Sequence, residues 1–215
     1  MKHAGYELVR RRCRLIVAVD ASADRQFDFG DLGNAIRKCG TDLHVEIEIK
    51  VGQIDLQQQS EFSQAHCVTG SIRYDKVDKG AKPGTLLYIK PSLLGTEFAD
   101  LLNYRKTNKG FPHQSTSDQW FDETQFEAYR VLGYQIGKEV LEHAVDDVAK
   151  NKLKGQDIAA LCEALHAIWN RVGEDTAVAR KPADALIQYR GLSDRRKPGA
   201  SPANDRRGGE PRRKG

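Results

Sequence analysis

Apolar and polar positions alternate in three distinct ways along this chain. From Cys13 to Val19 the run CRLIVAV is apolar at nearly every position. A half-exposed strand would alternate, so this pattern predicts a central strand covered on both faces, preceded by the end of a helix in YELVRRR. Leu43 to Val51 alternates strictly, with Leu43, Val45, Ile47, Ile49 and Val51 on one side and His44, Glu46, Glu48 and Lys50 on the other. That period of two predicts a half-buried strand. His66–Tyr74 and Thr85–Lys90 predict two more strands, joined across the charged segment Asp75–Gly84 as a hairpin with Pro83-Gly84 as turn chemistry.

Helical spacing occupies the rest of the patterned chain. A helix over Asp31–Lys38 places Leu32, Ala35 and Ile36 on one face, with Gly40 as its stop. Glu97–Tyr104 reads as a short amphipathic helix, and Asp122–Lys150 as a long one. Gln156–Arg171 places Ile158, Leu161, Cys162, Leu165, Ile168 and Trp169 on one stripe. Between these lies FPHQSTSDQWF (111–121), irregular and rich in aromatic residues, with Phe126 close behind. From Pro182 the periodicity stops. Residues 191–215 are Gly, Pro, Ser, Asp and Arg with almost nothing apolar, a composition expected to stay disordered.

Charge sharpens that division. The chain carries a formal +4, but residues 191–215 hold eight basic and three acidic groups, or +5, which leaves −1 on residues 1–190. The body is nearly neutral and the basicity belongs to the tail. Eight dispersed charges without aromatics predict nonspecific attraction to acidic surfaces, and no specific nucleic-acid partner. No run of about 18 apolar residues exists to span a bilayer, and no signal-peptide core precedes the arginines. A soluble, cytoplasmic protein is expected, or one peripheral to a membrane.

The candidate chemistry is sparse. Cys13, Cys39, Cys67 and Cys162 are far apart without a CxxC pair, so buried reduced thiols are expected rather than a zinc or redox site. The histidines show no HxH or HExxH spacing, and no metal or cofactor is expected. Gly30-x-x-Gly33 and Gly80-x-x-x-Gly84 lack the context that cradles phosphate. No GxSxG nucleophile turn occurs, and Ser201 falls in the tail.

Asp20 is the best-placed acid, because ligands gather beyond the carboxyl ends of parallel strands. The competing reading is a local cap of the following loop. A haloacid-type phosphatase would need an acid at the position of Ser22. His113 with Asp118 and Asp122 suggests either a His–acid base or a structural histidine pinning the irregular segment onto the long helix, and the structural role is favoured. The arginines at 10, 11, 12 and 14 read as a solvated helix C-terminus or an anion contact.

Four blocks carry a resemblance: YELVRRRCRLIVAVDA (6–21), FGDLGNAIRKC (29–39), GTLLYIKPSLLG (84–95) and FPHQSTSDQWFDETQFEAYRVLGYQI (111–136). In that order they resemble the C-terminal part of bacterial patatin-like phospholipases. The resemblance implies an α/β class, as the C-terminal portion of a three-layer α/β/α fold, with a lipid or ester substrate hydrolysed by a Ser–Asp dyad. The family's GxSxG serine, oxyanion loop and DGG aspartate find no counterpart in this sequence, and all three would precede residue 1. A truncated enzyme, inactive alone, is therefore expected, with no catalytic residue of its own and Asp20 at the rim of the parent site. The organisation implied is 1–137 as the patatin-like part, 138–173 as a helical hairpin extension and 174–215 as linker and basic tail. The alternative is a non-catalytic module that docks a partner chain, such as a complementing N-terminal half, or an acidic surface.

Overall fold

The computed structural model describes residues 4–150 and 158–169. The expected linker and tail from 174 onward lie outside the described residues. The order of elements is α1 (Ala4–Arg10), β1 (Leu15–Val19), α2 (Gly30–Leu43), β2 (Ile47–Ile49), β3 (Cys67–Ile72), β4 (Gly84–Ile89), α3 (Ala99–Thr107), α4 (Glu123–Lys150) and α5 (Ile158–Trp169). Helices and a mixed four-stranded sheet place the molecule in the α/β class.

The sheet runs β1-β4-β3-β2. β1 pairs parallel with β4, while β3 is antiparallel to both β4 and β2. The β3–β4 pair is the expected hairpin, its connection holding a 3-10 turn at Tyr74–Lys76. All six residues of β4 are buried. The reading of CRLIVAV as a strand covered on both faces is corrected: β1 is an edge strand among the described residues, and Val17 and Val19 are 48% and 65% exposed. An apolar run records what a strand can bury, and neighbours decide what it does bury.

Helices cover both faces of the sheet, as residue parity shows. Thr85 meets His166 of α5 across a 3.1 Å contact, and α5 packs against β3. The opposite face carries Gly84 against Tyr74 and Tyr88 against Asp20, beside α1 and α2. Gly84 is required there, because a Cβ would stand 2.7 Å from the Tyr74 ring and 3.2 Å from the Cys13 carbonyl oxygen. The Tyr74 hydroxyl donates to that same carbonyl at 3.0 Å, tying the connection of the hairpin to the entry of β1.

Two boundaries differ from the pattern. α2 continues through Gly40, because Cys39 extends its buried face beyond Leu32 and Ala35. His44, left-handed at φ 56°, ends it and donates its N–H to the Gly40 carbonyl at 3.1 Å. The helix thus takes the front of the alternating segment, and only Ile47–Ile49 pairs with β3. The alternation survives in exposure: Val45 and Ile47 are buried while Glu46, Glu48 and Lys50 are exposed.

At the other end, Asp122 caps α4 by accepting the Gln125 N–H at 2.7 Å. Glu97 lies before α3 rather than in it, and its carboxylate accepts the N–H groups of Leu94 and Gly95 at 2.6 and 2.9 Å. In α5 the stripe buries Cys162, Leu165 and Trp169, whereas Ile158 is exposed. The Trp169 indole N–H reaches the Val140 carbonyl of α4 at 3.4 Å.

Candidate functional site

Parallel pairing of β1 and β4 brings two charged residues to one place. Val19 and Ile89 are in register, so the residues that follow, Asp20 and Lys90, leave the sheet side by side. The Asp20 N–H still donates to the Ile89 carbonyl at 2.9 Å. Lys90 is fully buried and Asp20 is 4% exposed. The Lys90 ammonium lies 3.1 Å from Asp24 Oδ2 and 3.6 Å from Asp20 Oδ2. Both contacts are ion pairs outside hydrogen-bond geometry, so Nζ makes no hydrogen bond. It also stands 5.8 Å from the ring centroids of both Phe27 and Phe29, within cation–π reach.

Each carboxylate is held by further donors. Asp20 accepts the Tyr88 hydroxyl at 2.5 Å and the Ser22 N–H at 3.2 Å. The local cap and the strand-end acid are therefore the same residue. Burial raises the Asp20 pKa, but the Tyr88 and Ser22 hydrogen bonds and the Lys90 charge outweigh it, and the carboxyl sits below its ordinary range. Asp24 is held low in the same way, against burial, by Lys90 and by the N–H groups of Asp28 and Phe29, which it accepts at 3.0 and 3.1 Å. Those two bonds close the loop between β1 and α2. Phe27 and Phe29 both take left-handed backbone there, at φ 54° and 52°, a conformation that bulky residues hold only when their surroundings impose it.

His113 packs onto this loop, while its segment meets the long helix through Phe111 and Tyr129. Its ring meets Phe27 edge-on at 4.9 Å, and Nδ1 lies 3.3 Å from the Ser22 carbonyl. A carbonyl can only accept, so Nδ1 carries the proton and Nε2 presents a lone pair, buried and without a donor. Burial pushes the His113 pKa below its usual value, against the opposing pull of the Ser22 carbonyl, so the ring is neutral at pH 7. Asp118 and Asp122 do not bond to it: Asp118 accepts from Trp120 and Gln125, and Asp122 caps α4. The neighbouring Gln114 N–H, 3.3 Å from the Tyr129 hydroxyl, adds a link to the long helix.

A second buried polar set has the composition of a catalytic triad without its wiring. Ser92 Oγ lies 3.0 Å from His66 Nδ1, and His66 Nε2 lies 3.8 Å from Glu139 Oε2. The Ser92 hydroxyl donates to the Ala65 carbonyl at 3.1 Å, so the histidine does not take its proton, and Ser92 is fully buried. This set ties the start of β3 to the segment after β4. It offers no nucleophile to a substrate.

Arg10 pairs with Glu7 at 2.7 Å and Arg12 with Asp78 at 2.5 Å. All four cysteines are free, and three are buried. Among the described residues no group of three or more His, Cys, Asp or Glu could hold a metal ion. No described helix is long and apolar enough to cross a membrane.

Lys90, Asp24 and Tyr88 were not singled out by sequence reasoning. Lys90 closes an apolar strand just as Asp20 does, but only the parallel register, which a sequence does not contain, reveals that they meet. Protein-family models, curated proteins and solved structures were all compared with the chain, and none of them matches it.

Proposed function

We propose that this chain is part of a patatin-like lipid acyl hydrolase, contributing sheet strands and the charged residues beyond them but not the nucleophile. One observation carries the reading. Two of the four blocks that carry the resemblance, 6–21 and 84–95, fold into adjacent parallel strands that deliver Asp20 and Lys90 to one carboxyl-end site. Carboxyl ends of parallel strands are where α/β enzymes assemble their sites. The finer fold assignment, the C-terminal portion of a three-layer patatin-like sheet, is part of the same proposal and is supported by helices on both faces.

In this reading Asp20 and Lys90 are positioning residues. Both are buried and face each other as an ion pair, so they brace the loop 21–29 rather than act on a substrate. The nucleophile and oxyanion donors come from elsewhere. Purified chain, assayed with a p-nitrophenyl ester and a fluorescent phospholipid, gives only background turnover. Turnover abolished by a serine-directed phosphonate contradicts the proposal.

The second reading, a non-catalytic module that docks a partner chain, is favoured by the edge position of β1. Both readings place a partner strand there. They separate on whether adding a chain that carries GxSxG and DGG restores turnover.

A further inference from the structure

Residues 115–124 are exposed at ten consecutive positions, and one of them is a tryptophan. Trp120 is 92% exposed, while Phe121 beside it and Phe126 one turn into α4 are 49% and 59% exposed. Tryptophan is among the most buried side chains on average, so an indole left in water this fully marks a contact surface. Phe121 is fixed by stacking on Tyr129 at 5.8 Å with the rings 7° from parallel. Asp118 accepts the Trp120 N–H at 3.2 Å, which sets that turn.

The patch adjoins the candidate site. Gln125 Nε2 contacts both Gln114 Oε1 and Asp118 Oδ2 at 3.3 Å, and Gln114 directly follows His113. The aromatic surface and the carboxyl-end cluster thus share one segment.

Charge selects the occupant. The exposed acids Asp118, Asp122 and Glu123 flank the aromatics along the chain, residues 117–127 contain no Lys, Arg or His, and the exposed Arg130, one turn beyond Phe126, is paired with Glu127 at 2.6 Å. An anionic bilayer would be repelled at this surface. Aromatic faces with nearby carboxylates suit a quaternary ammonium, which binds through cation–π attraction and charge. Tryptophan also prefers the headgroup level of a bilayer.

We infer that Trp120, Phe121 and Phe126 form a docking surface for a zwitterionic, choline-bearing bilayer, holding the candidate site against the membrane. The inference rests on the lipid-hydrolase reading and deepens it by naming the interface. It also separates two membrane contacts within one chain, since the basic residues of 191–215 would favour anionic lipid instead.

The two tryptophans make the test local. Trp169 is buried, so a change in emission on adding vesicles reports Trp120. Full-length chain titrated with phosphatidylcholine vesicles is expected to show a blue shift, and quenching by brominated acyl chains. Phosphatidylglycerol vesicles are expected not to reproduce that shift, even where the tail binds them. The shift is expected to vanish in Trp120→Phe, and Phe126→Ser is expected to raise the half-saturating lipid concentration by about tenfold.

No shift with phosphatidylcholine, an equal shift with phosphatidylglycerol, or a shift retained in Trp120→Phe each overturns the inference. Far-ultraviolet circular dichroism checks that both variants fold. The readout needs no turnover, so its failure leaves the hydrolase reading standing. Phosphonate-sensitive turnover by the chain alone would remove the claim that the nucleophile comes from elsewhere, without touching the docking result.

Discussion

Val17 and Leu87 sit opposite one another in the same ladder and on the same face of the sheet, yet Leu87 is fully buried and Val17 is half exposed. The two strands have almost the same apolar character. β4 lies between β1 and β3 and under helices on both sides, whereas β1 has, among the described residues, a partner on one side only. The difference teaches that a strand's composition reports its capacity for burial, while topology decides how far that capacity is used. Val19, paired with Ile89, repeats the contrast at the carboxyl end, immediately before the buried Asp20 and Lys90.

The sharpest way to break the comparison is at that end. Lys90→Ala leaves Asp20 and Asp24 buried without their cation, and removing one partner of a buried ion pair is expected to destabilise by about 3–5 kcal/mol. Equilibrium urea unfolding measures it. A loss below about 1 kcal/mol would mean that the cluster is solvated and does not brace the loop.

The paired positions give the next effect. Leu87→Ala is expected to destabilise by about 2–5 kcal/mol through lost burial and a cavity. Val17→Ala, at the opposing position, is expected to stay within about 0.5 kcal/mol of the parent, as exposed substitutions do. Equal losses at the two sites would show that the outer face of β1 is covered in solution.

The smallest effect is a pH dependence. His113 has its folded-state pKa below the usual 6.5, so the unfolded chain binds the proton more readily. Its contribution is present above pH 6.5 and is lost as the pH falls from 6.5 toward the folded value. His166, also lowered by burial, acts in the same window. His113→Gln is therefore expected to flatten, but not abolish, the decline in stability measured by urea unfolding between pH 6.5 and 5. An unchanged slope would assign the whole dependence to other groups.

Much of the fold was legible because local periodicity is local physics. The long helix began one residue after its expected start, with the expected first residue Asp122 as its cap. The alternation of Val45 to Lys50 appeared in exposure even where pairing was shorter than expected. Gly40 misled because its place on a continuing amphipathic helix outweighed its tendency to end one. Less of the site could be read. Asp20 stood out as an acid after an apolar strand, but Lys90 and Asp24 join it through a parallel register and a loop closure. His113 reads in the sequence as a structural histidine or a His–acid base, and its partner, the Ser22 carbonyl, lies 91 positions away.

The account turns on β1 being an open edge to which a partner strand can add. The Arg14 carbonyl accepts from Thr85, and the Asp20 N–H donates to Ile89. By strand parity the N–H groups of Ile16 and Ala18 face β4, and those of Leu15, Val17 and Val19 face outward. Native-state hydrogen exchange resolves the two sets. The account predicts rapid exchange at Leu15, Val17 and Val19 beside slow exchange at Ile16, Ala18 and Asp20. Equal, strong protection at all six would contradict it, because the outer edge of β1 would already be paired.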